Sequence, residues 1–319
     1  MRELLRTRPV RHLLLTSGVA LLACAAVFVL QLLEFSNAEA ELRGVRTQTT
    51  GTVVRAGEDS VTVRFPGPGG ADVTAGIGLD GSLPRAGSQV PVVYDPAHPT
   101  HAVTRGATPL VTADRASTYA TVTVVAAVAV LGFDVFVLLT RFLRPARGQA
   151  RAGLPVRRVK VQRGLLARSW IETETATPRW IPVYFSPSLI GLPSPAKVEV
   201  LGDVLRDRHV AIRISGADGP GGVGELLYPS GAVRSSEPRG RRTDNPVAPD
   251  AEREAAAARP VSMARQFRAD LPVLAVAPVV GVFWALVDGS GFGGWLVITV
   301  LVAAFGFWWA ALRGSDPSS

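Results

Sequence analysis

At 319 residues, with 47% apolar and 19% charged side chains and a mean hydropathy of +0.25, the chain is more apolar than a soluble protein needs to be. The formal net charge of +8 is carried by arginine, Lys160 and Lys197 being the only lysines, and with abundant Ala and Gly this points to a GC-rich bacterial genome. A single cysteine, Cys24, excludes an intramolecular disulfide and a Cys-based zinc site, so any β module must be held by packing.

Residues 1–12 form a basic start, with Arg2, Arg6, Arg8 and Arg11. The apolar run 13–33 predicts a first transmembrane helix, because about 20 residues cross the ~30 Å hydrocarbon layer. Leu21-Leu-Ala-Cys24 resembles a lipoprotein processing site, but Ala25 to Leu30 continues the apolar run, which favours an uncleaved helix with a buried thiol.

Residues 34–117 read as an extracytoplasmic β module. Thr50 to Arg55 and Ser60 to Phe65 alternate with period two across a short turn, and Ala71 to Leu79, Gln89 to Tyr94 and His101 to Arg105 supply three more strands. Five short strands between Gly and Pro turns predict a small barrel or curled sheet of the OB or SH3 type, whose closure removes aggregation-prone edges.

Four stretches of this module, Gly51-Thr-Val-Val54, Val61 to Phe65, Gly87-Ser-Gln-Val-Pro-Val-Val-Tyr-Asp-Pro96 and His98 to Val103, resemble the bacterial membrane proteins grouped as domain of unknown function 3592. The resemblance implies a membrane-anchored β domain and no established activity. Two readings of the motif stand side by side. In the structural one, Gly87 supplies a turn at positive φ, Val90, Val92 and Tyr94 line one strand face, and Asp95-Pro96 stops the strand. In the functional one, Tyr94, Asp95, His98 and His101 meet at a rim that binds a ligand or ion.

The second span, 118–140, contains Asp134, an acid that costs about 2.5 to 3.5 kcal/mol to insert near a bilayer centre and so needs compensation. Partners within reach of a packed helix are Thr16, Ser17 and Thr299, or Arg141 and Arg144 at the helix end. The sharper reading is a proton or ion relay.

Residues 141–237 carry a basic segment and a cytoplasmic β module. Ser169 to Thr175, Arg179 to Phe185, Lys197 to Leu201, His209 to Ser215 and Gly224 to Tyr228 give five candidate strands. Ile181-Pro-Val-Tyr-Phe-Ser-Pro187 echoes Val90-Pro-Val-Val-Tyr-Asp-Pro96, which leaves an internal repeat open. Arg141, Arg144, Arg147, Arg239, Arg241 and Arg242 are the candidates for anionic lipid head groups; without interleaved aromatics they do not form a nucleic-acid surface. Residues 238–270 read as a tether, with an Ala-rich patch from Glu252 to Arg259 as a short helix. Spans 271–287 and 295–312 flank the Gly-rich hairpin turn 288–294, with Trp308 and Trp309 at an interface, and 313–319 is a tail.

Arginine asymmetry orients these segments. Phe35 to Ser117 carry seven arginines against eight acids, whereas Arg141 to Asp270 carry 22 basic residues against 13 acids. Basic loops stay inside, so the first module is outside, the second inside, and both termini are cytoplasmic. The expected fold is a membrane α+β protein with four transmembrane helices, an extracytoplasmic small β barrel and a cytoplasmic small β domain, multi-pass in the bacterial cell membrane. No Gly-x-Ser-x-Gly elbow, phosphate-binding loop or metalloprotease helix is present, so no catalytic residue, metal or cofactor is assigned. The favoured reading is a non-enzymatic scaffold or sensor of the cell membrane, with protein partners unknown. The alternative is a transporter or membrane enzyme using Asp134 and the outer His98 and His101.

Overall fold

The structure is a computed structural model that describes residues 2–214, 224–244, 251–252, 255 and 261–318. Among the described residues, four helices are long and apolar enough to cross a membrane: α1 (Arg8–Glu41), α2 (Thr108–Ala146), α3 (Met263–Asp288) and α4 (Gly291–Arg313). Each is longer than its apolar run. Polar turns extend α1 and α2 beyond the hydrocarbon length, and the charged stretch Met263–Asp270 precedes the apolar part of α3. Their outward side chains stay uncovered, with Leu22, Val125, Phe283 and Leu286 all more than half exposed. In water such a surface would associate; in lipid it is solvated.

The chain divides into two compact units, one formed by Cys24–Ala126 and the other by Met1–Ala23 with Ala127–Ser319, and α1 and α2 run through both.

In the unit Cys24–Ala126, β1 (Thr47–Ala56), β2 (Ser60–Pro66), β3 (Asp72–Gly78), β4 (Gln89–Tyr94) and β5 (Ala102–Thr104) form one antiparallel sheet in the order β3-β2-β1-β4-β5. These are the five strands the alternation predicts, with ends shifted by a few residues. The sheet curls into a half-barrel, and its two end strands approach closely enough for Leu79 to bridge Ala107. Period-two patterning puts Val61, Val63 and Phe65 of β2, Ala75 and Ile77 of β3, and Val92 and Tyr94 of β4 on one buried face. Gly87 sits at φ +86 in the turn before β4, a conformation that costs a side chain but not glycine.

The second unit holds a seven-stranded antiparallel sheet of β6 (Ala150–Arg163), β7 (Leu166–Thr173), β8 (Trp180–Val183), β9 (Ala196–Leu201), β10 (Ala211–Ile214), β11 (Glu225–Leu227) and β12 (Arg241–Asp244). Its order is β11-β10-β9-β6-β7-β8, with β12 paired to β6. Two of these strands were not expected. β6, the longest and the hub of the sheet, lies in the segment that reads as basic linker. Val156 is buried on one face and Val159 and Val161 on the other, so with Arg157, Arg158, Lys160 and Arg163 interleaved no period-two pattern stands out, and the pairing shifts register between Arg151 and Leu154. β12 lies in the loop of breakers and arginines. Of the expected tether 238–270, Arg241–Asp244 forms β12 and Met263–Asp270 begins α3, whereas 245–250, 253–254 and 256–260, and with them most of the expected Ala-rich helix, fall outside the described residues.

An internal repeat finds no support in topology. β4 is an interior strand between the strands β1 and β5, whereas β8 has β7 on one edge and on the other only isolated bridges, Trp180 to Arg234 and Val183 to Pro229. The shared Pro and Tyr are a local strand ending in two different sheets.

Two departures from regular helix packing fix side chains near the ends of the spans. The end of α2 is a π-helical turn, Leu138–Leu143, whose extra residue per turn re-aims the side chains from Arg141 onward. Phe142 is thereby fully buried, its ring 5.2 Å from Tyr184 and 4.9 Å from Tyr228. Between α3 and α4, Gly281 lets the helices cross closely. A Cβ there would overlap Thr299 Oγ1 and stand 2.9 Å from the Trp295 carbonyl, while Trp295 Nε1 donates to the Pro278 carbonyl at 3.2 Å. Gly281→Leu is therefore expected to lower stability by about 1 to 3 kcal/mol through overpacking. Thermal unfolding in detergent checks this, with Gly306→Ala, whose Cβ would only brush Val273 at 3.2 Å, as the mild comparison.

Candidate functional site

Asp134 is 6% exposed in α2 and has partners from two other helices. Trp308 Nε1 of α4 donates to its Oδ1 at 2.9 Å, and the Ser17 hydroxyl of α1, which also donates to the Leu13 carbonyl at 2.8 Å, lies against the same carboxylate. Ala20, Ala23 and Ala304 pack beside this group, small enough to let α1 and α4 close on it. Phe133 meets the Trp308 ring edge-on at 5.8 Å. Of the expected partners, Ser17 is found and Thr299 is not; Thr16 turns back to the carbonyls of His12 and Leu13. Trp308 is the partner that the residue pattern missed. It reads in the sequence as one of an interfacial pair, and only Trp309 stays exposed, under the Arg313 guanidinium at 4.8 Å.

The motif residues of the first module separate into core and turn. Tyr94 is 5% exposed, with its ring 5.2 Å from Phe65, so it faces the sheet core and does not join a rim. Asp95, His98 and His101 build a turn. Asp95 Oδ1 accepts from Ala97 N at 2.9 Å, its Oδ2 lies 3.1 Å from His98 Nδ1, His98 N donates to the Asp95 carbonyl, and Asp95 N donates to the His101 carbonyl at 3.0 Å. The Ala97 amide first, and His98 second, hold the Asp95 carboxyl below the usual range. Among the described residues there is no group of three or more His, Cys, Asp and Glu side chains that could hold a metal ion.

The arginines named for lipid contact also separate. Arg144, Arg147, Arg239 and Arg241 are exposed. Arg141 is turned inward by the π turn: its Nη1 donates to the carbonyls of Leu312 at 2.6 Å and Ser230 at 2.8 Å, and reaches the Tyr184 hydroxyl at 3.4 Å. Arg242 pairs with Glu237 at 2.5 Å and with Glu172 at 3.2 Å. These two arginines are held by protein acceptors.

The densest polar network in the unit was not legible in the sequence. Residues after α4, expected as a tail, enter the second sheet. Asp316 N donates to the Ala167 carbonyl at 2.8 Å, and the Asp316 carboxylate, fully buried, receives Arg158 Nη2 at 2.7 Å, Ser169 Oγ at 2.6 Å and Ser318 N at 2.9 Å. Burial raises the carboxyl pKa, but Arg158 and these donors outweigh it and leave the group below its ordinary range. Gln266 of α3 donates to the Ser315 carbonyl and hydroxyl at 2.9 and 2.7 Å, and Arg168 Nε donates to the Arg313 carbonyl at 2.8 Å. Burial, reinforced by Arg313 and Arg141, brings Arg168 down to about 10. No protein-family model, curated protein or solved structure matches this chain. The roles of these residues therefore rest on their geometry.

A second buried pair joins α1 to α3: His12 Nε2 lies 2.8 Å from Asp270 Oδ2, at 5% and 0% side-chain exposure, with Phe267 packed 5.4 Å from the imidazole. Arg8 donates to the carbonyls of Val261 and Ser262 nearby. The signal was available, since His12 and Asp270 each stand at the mouth of an apolar run. What was missing was the contact between runs so far apart in the chain. His209, beside Arg141 and Arg208, is pushed down to about 4, by burial first and by those cations second.

Because the Asp134 contact is a hydrogen bond from indole to an acceptor oxygen, Asp134→Asn keeps the acceptor and is expected to change stability by less than about 1 kcal/mol. Trp308→Phe removes the donor from a buried acceptor and is expected to cost about 1 to 3 kcal/mol. Denaturant or thermal unfolding of the two variants in the same detergent compares them directly.

Proposed function

We propose that this chain is a multi-pass protein of the bacterial cell membrane that acts without catalysis, as a scaffold or sensor linking an outer β module to an inner one. The observation that carries this reading is the way the seven-stranded module is fastened to helix ends. Arg141 from α2 holds the Leu312 carbonyl of α4, Arg168 from β7 holds the next, and Asp316 beyond α4 is built into the sheet. A module held by buried polar contacts moves with its helices, which suits a protein that relays or anchors.

Arginine asymmetry supports the orientation, with both termini and the seven-stranded module in the cytoplasm and the half-barrel outside. The Gly87 to Pro96 motif and its strand-ending turn support membership of the domain of unknown function 3592 group, and the curled sheet supports a small barrel of OB or SH3 type. The exposed Arg144, Arg147, Arg239 and Arg241 suit anionic head groups. A transporter or enzyme built on Asp134, His98 and His101 draws less support, because Trp308 and Ser17 already occupy Asp134 and Asp95 engages His98.

Single cysteines at two exposed positions test the layout in a Cys24→Ser background. In intact cells, a membrane-impermeant maleimide is expected to label Asp72→Cys in the half-barrel and to spare Arg206→Cys in the second sheet module until the membrane is opened. The reverse pattern would overturn the orientation.

A further inference from the structure

The second unit contains a cavity of about 760 Å³ whose described lining carries five cations, Arg158, Lys160, Arg241, Arg265 and Arg268, against one carboxylate, Asp316. That volume is in the range of small-molecule sites. The cations come from the periodicities of three elements. Arg158, Lys160 and Gln162 alternate on one face of β6, and on β12, which is paired to it, Arg241 lies opposite Gln162 and Thr243 opposite Lys160. Arg265, Arg268, Ala269 and Pro272 recur at helical spacing along the first turns of α3, so one helix face supplies the opposing wall. Asp316, Pro317 and Ser318 close the remaining side.

The lone carboxylate does not neutralise Lys160, Arg241 and Arg268. Asp316 already accepts from Arg158, Ser169 and the Ser318 amide, so its charge is spent within the network. Arg158 Nε is buried without a hydrogen-bond acceptor. The Lys160 ammonium is depressed by burial first; Asp316 acts the other way, and Arg158 and Arg265 add to the depression. Cations gathered at this density repel one another unless an anion joins them, and a group with several acceptor oxygens satisfies them best. Leu165, Ile190 and Pro272 add an apolar side to the lining at the start of α3's apolar stretch.

We propose that this cavity binds a phosphate-bearing anion, held by Lys160, Arg241 and Arg268 with Arg158 behind them. The chemistry is that of a phosphoryl or pyrophosphoryl group, whether on a lipid head group or on a soluble compound. This site is separate from the scaffold reading and stands if that reading fails.

The test uses the full chain in neutral, lipid-free detergent. Inorganic pyrophosphate is titrated by calorimetry, and phosphatidylglycerol is titrated against phosphatidylcholine by native mass spectrometry. Binding of pyrophosphate without phosphatidylglycerol assigns a soluble source, preferential binding of phosphatidylglycerol without pyrophosphate assigns a lipid source, and competition between the two places both here. The variant Lys160→Gln/Arg241→Gln/Arg268→Gln is expected to bind at least about tenfold more weakly. Its unliganded melting temperature should be unchanged or raised, since like charges have been removed. If that variant does not fold, Arg241→Glu alone, at an exposed strand position, should give the same loss. A control lacking Arg206 and Arg208, exposed elsewhere on the module, should bind as the parent does. The proposal is overturned if neither probe binds, if the cavity variants bind like the parent, or if the control loses affinity equally.

Discussion

Burying the Asp316 carboxylate against Arg158 is the constraint on which the second unit depends. An ion pair taken out of water loses several kcal/mol of hydration per charge, and Coulomb attraction recovers it only when the remaining lone pairs are also satisfied. Here Ser169 and the Ser318 amide satisfy them, and the Asp316 amide joins the backbone of β7. To keep that arrangement the chain must turn back immediately after α4, which fixes the helix end against the sheet. The last carbonyls of α4 then face Arg141 and Arg168, so helix acceptors that would otherwise lack partners find charged donors. Gln266 binds the same segment from α3, and His12 with Asp270 ties α3 to α1.

The same logic governs the polar groups within the helices. Asp134 is matched by an indole donor from α4, with the Ser17 hydroxyl of α1 beside it, which makes it a packing contact with a defined geometry. Named polar contacts thus link α1, α2, α3 and α4 to one another and to the seven-stranded sheet.

Patterns confined to a few neighbouring residues were legible in the sequence. Apolar runs gave all four long helices, and alternation gave the five strands of the half-barrel, because one sheet face is buried there and the period-two signal is unbroken. The turn at Gly87 was readable from the need for positive φ. Legibility failed where charge and long-range contact decide the structure. β6 carries Arg157, Arg158 and Lys160 among its valines, and its role as hub comes from partners β7, β9 and β12, which no local window contains. Asp316 lies 158 residues from Arg158, and Trp308 lies 174 from Asp134. Tyr94 read first as a strand-face residue with a rim position as the alternative, and its burial and the Phe65 contact place it in the core.

Hydrogen exchange of the segment 314–318, measured by mass spectrometry on the full chain in detergent, addresses the central claim most directly. A segment built into the sheet through the Asp316 amide and carboxylate predicts protection there comparable to that of β7, persisting long after the exposed turn near Gly69 has exchanged. Complete exchange of 314–318 at the earliest time point, alongside a protected β7, would contradict it.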